Sequence, residues 1–410
     1  AVFRRLSGPI TMSFREDTRQ VCVDCSGKEL LDSEDSEGPP LSHAPSSRYF
    51  SQKSHWGAIA LVSGLLLCVT YAGLSAGHLV PRPTELLRNT EEMLWANNPG
   101  KCGGKLVLQD FAEYYMITAS MNKPDDPASR SLHALGDAVH VGMKSRAYFG
   151  DSCADGDFQQ EEYMKVNWMG KRLTYTVDLS QVNCGCNAAL YLVSMGYSEK
   201  VGGCSDYYCD AVSVCDVQCA EIDLMEANNR AWHTTLHDGI KPWDPKVGCG
   251  GAGYTGAGKQ WLGPRDWTPE QYGPGATCID TSQPFEASLD FLVDEDHWKM
   301  KSINVFLTQG RCRLHASTEQ FADIFPTLTK RLNEGMTLVI SYWQDPGMTW
   351  LDGAGYDGQE FCKAAWEKDG ERDCGPSVTF KDFKVTHLPR NYAAMRKALD
   401  SNETMEWLDE

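Results

Sequence analysis

Basic residues are scarce in this chain: 38 Lys and Arg stand against 56 Asp and Glu in 410 residues, a formal charge of −18. Binding a polyphosphate requires clustered cations that displace its counterions. No such cluster occurs, so nucleic acid is not an expected partner, and acidity alone serves solubility. No internal repeat is present. His233 and His237 stand four apart as a metal pair on a helix would, yet the Glu-containing signature of a zinc site is missing. Neither a metal nor another cofactor is expected.

Charge of either sign is also missing from Trp56 to Val80. That run exceeds the roughly 20 apolar residues needed to span a bilayer. A signal anchor over residues 56–80 is expected, with a secreted form cleaved near Gly77 as the alternative, since Ser75, Ala76 and Gly77 suit a signal peptidase. Of 16 cysteines, Cys22, Cys25 and Cys68 lie in or before the run and thirteen after it. Their density points to an oxidising compartment and hence to a type II orientation, with residues 1–55 cytosolic and the remainder lumenal or extracellular. Arg48 and Lys53 on one side and Arg82 and Arg88 on the other leave the positive-inside rule little to add. Thirteen is odd, so one thiol is left over. The Ser-, Asp-, Glu- and Pro-rich tail around Leu31 to Ser47 cannot bury enough apolar surface to fold, and the lone Cys22-Val-Asp-Cys25 lacks the second pair of a metal site.

Past a stalk at 81–100, the pattern has the period of strands. Leu173, Tyr175, Val177 and Leu179 alternate with Thr174, Thr176, Asp178 and Ser180. Phe285, Ala287, Leu289, Phe291 and Val293 repeat the alternation, as do Ile303, Val305 and Leu307. Ala188 to Val193 and Thr337 to Ile340 are continuous apolar runs suited to strands covered on both faces. Many strands with Gly- and Asp-rich turns predict an all-β sandwich, decorated by loops such as Gly248 to Gly275. One helix is expected from Phe321 to Asn333, where Phe321, Ile324, Phe325, Leu328 and Leu332 fall at helical spacing before Gly335.

The chemistry is concentrated in Glu221-Ile-Asp-Leu-Met-Glu226. Three carboxylates in an apolar stretch are costly to bury without a purpose. On a helix Glu221 and Glu226 would point about 140° apart, and on a regular strand an offset of five places them on opposite faces. A β-bulge between Asp223 and Glu226 restores convergence, and bulges are common beside active sites. Two acids about 5 to 5.5 Å apart across a glycosidic bond give a covalent, retaining mechanism. Like charges in one strand raise one another's pKa, so one acid can keep its proton while another attacks. A solvated acidic edge and a calcium site are the other readings of the cluster, although calcium ligands usually come from loops.

The segment resembles the Glu-x-Asp-x-x-Glu strand of glycoside hydrolase family 7, the cellobiohydrolases and endoglucanases. Five further segments are similar to that family and occur in its order: Thr176 to Ser180, Cys184 to Met195, Gly335 to Trp343, Trp350-Leu-Asp352, and Val378 to Lys384. The resemblance covers about Arg146 to Val385. It implies a concanavalin-like jelly roll of two curved antiparallel sheets with long loops and a few short helices, over a domain at 101–390 followed by a tail at 391–410. It also implies Glu221 as nucleophile, Asp223 as its helper, Glu226 as general acid/base and His237 in support. Trp343 and Trp350 are implied as sugar-stacking platforms, a role their flat faces suit, and Asn187, Tyr191 and Arg146 as polar substrate contacts. The disulfides implied are Cys184 with Cys374 and Cys209 with Cys219.

The chain departs from the family between Met195 and Glu221 and between Trp343 and Trp350, where it is shorter, which favours an open cleft and endo-acting cleavage. Met225 replaces the usual Trp, and Gly239 stands where a Cys is common. The expected substrate is therefore a β-1,4-glucan such as cellulose. The alternatives are a β-1,3 or mixed-linkage glucanase, or a non-catalytic membrane lectin that kept the cleft. Asn402-Glu-Thr404 is a glycosylation sequon consistent with a lumenal carboxyl end.

Overall fold

The computed structural model describes residues 100–121, 131–240, 247–250, 267–294, 299–345, 347–353, 362 and 373–389. All belong to the second of the two units into which the chain divides, 1–87 and 88–410. The expected tail, anchor and most of the stalk, the C-terminal tail and the sequon at Asn402 lie outside the described residues. Among the described residues no helix is long and apolar enough to cross a membrane.

In chain order the strands are β1 (Cys102–Leu108), β2 (Ala112–Ser120), β3 (Leu132–Leu135), β4 (Ala138–Gly142), β5 (Ser145–Gly150), β6 (Lys171–Asp178), β7 (Cys186–Val193), β8 (Glu221–Ala227), β9 (Trp232–His237), β10 (Val247–Gly250), the short pair β11 (Tyr272–Gly273) and β12 (Ile279–Asp280), β13 (Phe285–Val293), β14 (Met300–Gln309), β15 (Cys312–Ser317), β16 (Thr337–Gln344) and β17 (Ser377–His387). Apart from β11 and β12 they form one ladder. One layer runs β10-β9-β8-β7-β16-β5-β2-β1 and the other β3-β4-β17-β6-β13-β14-β15. The seam is β1, antiparallel to β2 and parallel to β3.

The alternation read from the sequence places the core between the layers. Leu173, Tyr175 and Val177 of β6 meet Phe285, Leu289 and Phe291 of β13 and Ile303, Val305 and Leu307 of β14 from one side. Met116 of β2, Leu190 and Leu192 of β7, and Leu338 and Ile340 of β16 meet them from the other. The continuous apolar runs are covered on both faces, as expected: the opposite faces of β7 and β16 carry Ala189, Tyr191, Val193 and Val339. These join Ile117 and Tyr148 in a second cluster, closed by Tyr208, Cys209 and Cys215.

Three local expectations need correction. The helix α1 runs Phe325–Glu334 and is preceded by a 3-10 turn at Glu319–Phe321, so it starts four residues later than Phe321. The reason is Pro326: its ring would clash with the carbonyl four residues back, so it is tolerated only in a first turn. Gly335, at φ 99°, ends the helix and donates its N–H to the carbonyls of Arg331 and Leu332. The stretch Gly248 to Gly275 is not all loop, because β10 extends the sheet beyond β9. Cys184 does not pair with Cys374. It bonds Cys362, and Cys186 bonds Cys374, because Gly185 takes φ 80° between the two half-cystines and sends them to different partners. Cys209 bonds Cys219 as expected. Cys102–Cys153, Cys204–Cys215 and Cys278–Cys312 complete six bridges among the described residues. The thirteenth cysteine is Cys249, on β10, whose side chains lie outside the described ones.

Candidate active site

Strand β8 lies between β7 and β9, and its pairing slips within the acidic motif. Asp223 faces Thr235 and Glu226 faces His233, three steps on β8 against two on β9. On the other side Leu190 pairs Met225 and Tyr191 pairs Asp223, so Leu224 is the extra residue. The bulge expected from the five-residue offset is therefore present. It lets Glu221, Asp223 and Glu226 share the face that points away from the core, while Leu224 and Met225 both stay in it. A bulge frees a carbonyl that must find a donor. Thr234 supplies one: its hydroxyl donates to the Leu224 carbonyl at 2.9 Å and accepts the Trp232 indole N–H at 3.1 Å. Met225, in place of a Trp, accepts the Tyr175 hydroxyl at 3.3 Å within the core.

Each acid has its own partner. Glu221, 8% exposed, accepts the backbone N–H of Ala211 on Oε2 at 3.0 Å. Asp223 meets His237 Nε2 through Oδ2 at 3.2 Å. Glu226 accepts the Asn187 amide on Oε1 at 2.9 Å. Burial, then Asp223 and Asp210, push the Glu221 carboxyl well above its ordinary range, against a counter-pull from the Ala211 N–H. Burial and Asp223 do the same to Glu226, and the Asn187 amide opposes them. Like charges held this close and buried make full ionisation of the cluster costly. Both donors favour an ionised carboxyl: the Ala211 N–H that of Glu221 and the Asn187 amide that of Glu226.

The other expected residues separate into two groups. Trp343 and Trp350, both half-buried, stack at 6.4 Å and 29° over Met348, Leu351 and Ala231. Trp350 lies on the short helix α2 (Thr349–Asp352). Asp352 fixes that helix by accepting Gly185 N–H at 2.7 Å and the Asn228 amide at 2.6 Å. The Trp350 ring is 6.3 Å from His233, the cross-strand neighbour of Glu226, so an apolar platform adjoins the acid. Arg146 and Tyr191 lie deeper beneath the acids, Tyr191 as the cross-strand neighbour of Asp223. Arg146 is 1% exposed; its Nε donates to the Tyr148 hydroxyl at 3.0 Å and its guanidinium lies 3.6 Å over the Tyr208 ring. The Tyr191 and Tyr208 hydroxyls are 3.1 Å apart. Both residues are sealed beneath the segment cross-linked by Cys204–Cys215 and Cys209–Cys219.

That segment holds what the sequence motif did not reveal. Asp210 accepts the N–H groups of Val212 and Val214 at 3.1 and 3.0 Å, a side-chain turn of the kind Asp favours, and so aims Ala211 N–H at Glu221. A main-chain donor leaves no residue-type signal; only the Asp before a tight, disulfide-closed turn hinted at it. As for metals, Glu221, Asp223 and His237 offer ligand atoms within 4.8 Å of one another. The thiols of Cys184 and Cys362 near Asp352 are spent in a bridge. His233 and His237 lie on strand β9, not a helix, where four residues span about 13 Å, too far to share an ion.

Known proteins resemble this chain along much of the second unit. The model of glycosyl hydrolase family 7 matches residues 96–214, ending ahead of β8. Endoglucanase EG-1 of Hypocrea jecorina is 29% identical over 250 residues, covering 51% of this chain and 50% of that protein. Endoglucanase 1 of Pyricularia oryzae is 27% identical over 338 residues, 69% and 76% of the two chains. The chain thus spans about half the length of the first of these relatives. Among solved structures, endoglucanase I complexed with cellobiose and a cellobiohydrolase from Daphnia pulex are each 16% identical with a TM-score of 0.46. Each covers 68% of this chain; the coverage is 93% of the endoglucanase and 94% of the cellobiohydrolase. Residues 96–214 are thus similar to glycosyl hydrolase family 7, and the curated relatives named above are endoglucanases.

Proposed function

We propose that this chain is a retaining glycoside hydrolase that cleaves β-1,4-glucosidic bonds of cellulose or a related β-glucan within the polymer. The observation that carries the reading is the bulge of β8, which brings three differently held carboxylates onto one face beside a tryptophan pair. Glu221, held by a fixed N–H, attacks the anomeric carbon. The bond from that carbon to the leaving oxygen breaks, and the oxygen takes the proton of Glu226. Water then attacks the glycosyl ester, giving its proton to Glu226 and releasing Glu221 as a carboxylate. Asp223, tied to His237, supplies the neighbouring charge that keeps a proton within the cluster. Trp343 and Trp350 offer flat apolar faces to a sugar ring. The similarity to endoglucanases favours the β-1,4 linkage and internal cleavage.

The test is release of reducing ends from carboxymethylcellulose and laminarin by the full chain and its Glu221→Gln variant. We expect hydrolysis of the first, lost in the variant. Cleavage of laminarin alone would transfer the assignment to β-1,3 linkages, and binding of oligosaccharide with neither cleaved would make the protein a lectin.

A further inference from the structure

Asn187 begins as an expected sugar contact, but its surroundings assign it another task. It lies on β7, is 0% exposed, and has both ends of its amide engaged. Oδ1 accepts the backbone N–H of Ala227 at 3.1 Å, and Nδ2 donates to Glu226 Oε1 at 2.9 Å. The Ala227 N–H settles which way the amide points. It can only donate, so the carbonyl end must face it and the NH2 end must face Glu226. Asn187 therefore presents a donor to Oε1 at every stage of a catalytic cycle, and a proton on Oε1 would meet that donor head-on.

We propose that Asn187 is a positioning residue for the acid/base: it reserves Oε2 of Glu226 as the oxygen that carries the proton and holds the carboxyl plane toward the bond to be broken. The inference rests on the reading of Glu226 as acid/base. In the first step the proton on Oε2 passes to the leaving oxygen, and the new carboxylate keeps the Asn187 hydrogen bond at Oε1. In the second step Oε2 takes a proton from the attacking water, and the starting state is restored. Without the amide, either oxygen could hold the proton, and the carboxyl could turn the wrong one toward the sugar.

The groups that bear on the titration of Glu226 are few. Glu221 and Asp223 share its strand, His233 faces it and His237 pairs Asp223 from β9, and Asp352 of α2 is occupied by Gly185 and Asn228. Among the described residues, Asn187 is the hydrogen-bond donor to the Glu226 carboxyl. Its donor favours the ionised form, so its loss lets Glu226 keep its proton to higher pH.

The experiment compares the full chain with Asn187→Ala and Asn187→Asp on aryl β-cellobiosides whose leaving groups range from 2,4-dinitrophenol to phenol. Asn187→Asp keeps the acceptor for Ala227 N–H and so keeps the fold, while setting an oxygen against Oε1. General acid catalysis is worth about 10²- to 10⁴-fold, and only for a leaving group that needs a proton. In both variants we expect kcat/KM for the phenyl substrate to fall by about 10²-fold and that for the dinitrophenyl substrate by less than about threefold. The alkaline limb of the pH profile should move upward. Equal losses on all leaving groups with an unmoved alkaline limb would overturn the proposal and return Asn187 to a sugar-binding or structural role. A wild-type chain that cleaves no aryl cellobioside would instead defeat the glycosidase reading on which the proposal rests.

Discussion

Glu221 and Glu226 are easier to protonate in the folded chain than in the unfolded one, because burial and Asp223 raise both. A carboxyl whose folded pKa lies above its ordinary value of 4.5 contributes stability below that value and loses it as pH rises through the folded pKa. Glu221→Gln removes the charge and keeps an oxygen to accept the Ala211 N–H. The variant should therefore melt at a higher temperature than the wild-type chain at pH 7 to 8, with the gap shrinking toward pH 4. Thermal denaturation across that range measures it, and a gap independent of pH would refute the sign. The acids themselves were legible in the sequence, because three carboxylates in an apolar stretch demand an explanation. Their tuning was not. Ala211 acts through its main chain, and Asn187 acts through an amide whose direction depends on a backbone N–H forty residues away.

At the scale of the element, the bulge was the most legible feature, since an offset of five leaves no other route to convergence on a strand. What sustains it was not. The Thr234 hydroxyl that satisfies Leu224 comes from the core face of β9, and nothing in a list of apolar and polar residues distinguishes it from other buried threonines. Thr234→Val strips the Leu224 carbonyl and the Trp232 indole of their partners. An unsatisfied buried polar group costs about 1–3 kcal/mol, so denaturant midpoints should show a loss of at least that size. Equal stability would mean that the bulge is held by its neighbours alone. The helix shows the same boundary between pattern and stereochemistry. Apolar spacing found α1, but Pro326 decided where it begins. Cys184 and Cys186 are likewise two residues apart in sequence, and only the turn at Gly185 separates their partners.

For the whole molecule, alternation gave the two layers and the strands that build them, whereas the seam at β1 rests on one parallel pairing, Gly104 with Ala134, that no periodicity encodes. The long-range bridges Cys184–Cys362 and Cys186–Cys374 close separations of 178 and 188 residues. Removing one bridge, by Cys186→Ser with Cys374→Ser, should cost about 2–5 kcal/mol, read as a lowered midpoint of unfolding with the remaining bridges intact. An unchanged midpoint would show that the second bridge alone confines that part of the chain.

The position of the last two strands also bears on synthesis. β16 lies between β7 and β5, and β17 between β4 and β6, so the centre of each layer is made last. As the chain leaves the ribosome, β5, β7, β4 and β6 each present an unpaired edge until residues 337–387 arrive. Unpaired edges invite pairing with other chains, and sheets joined by distant segments close slowly. Any truncation before residue 377 would leave the layer that runs from β3 to β15 split where β17 belongs.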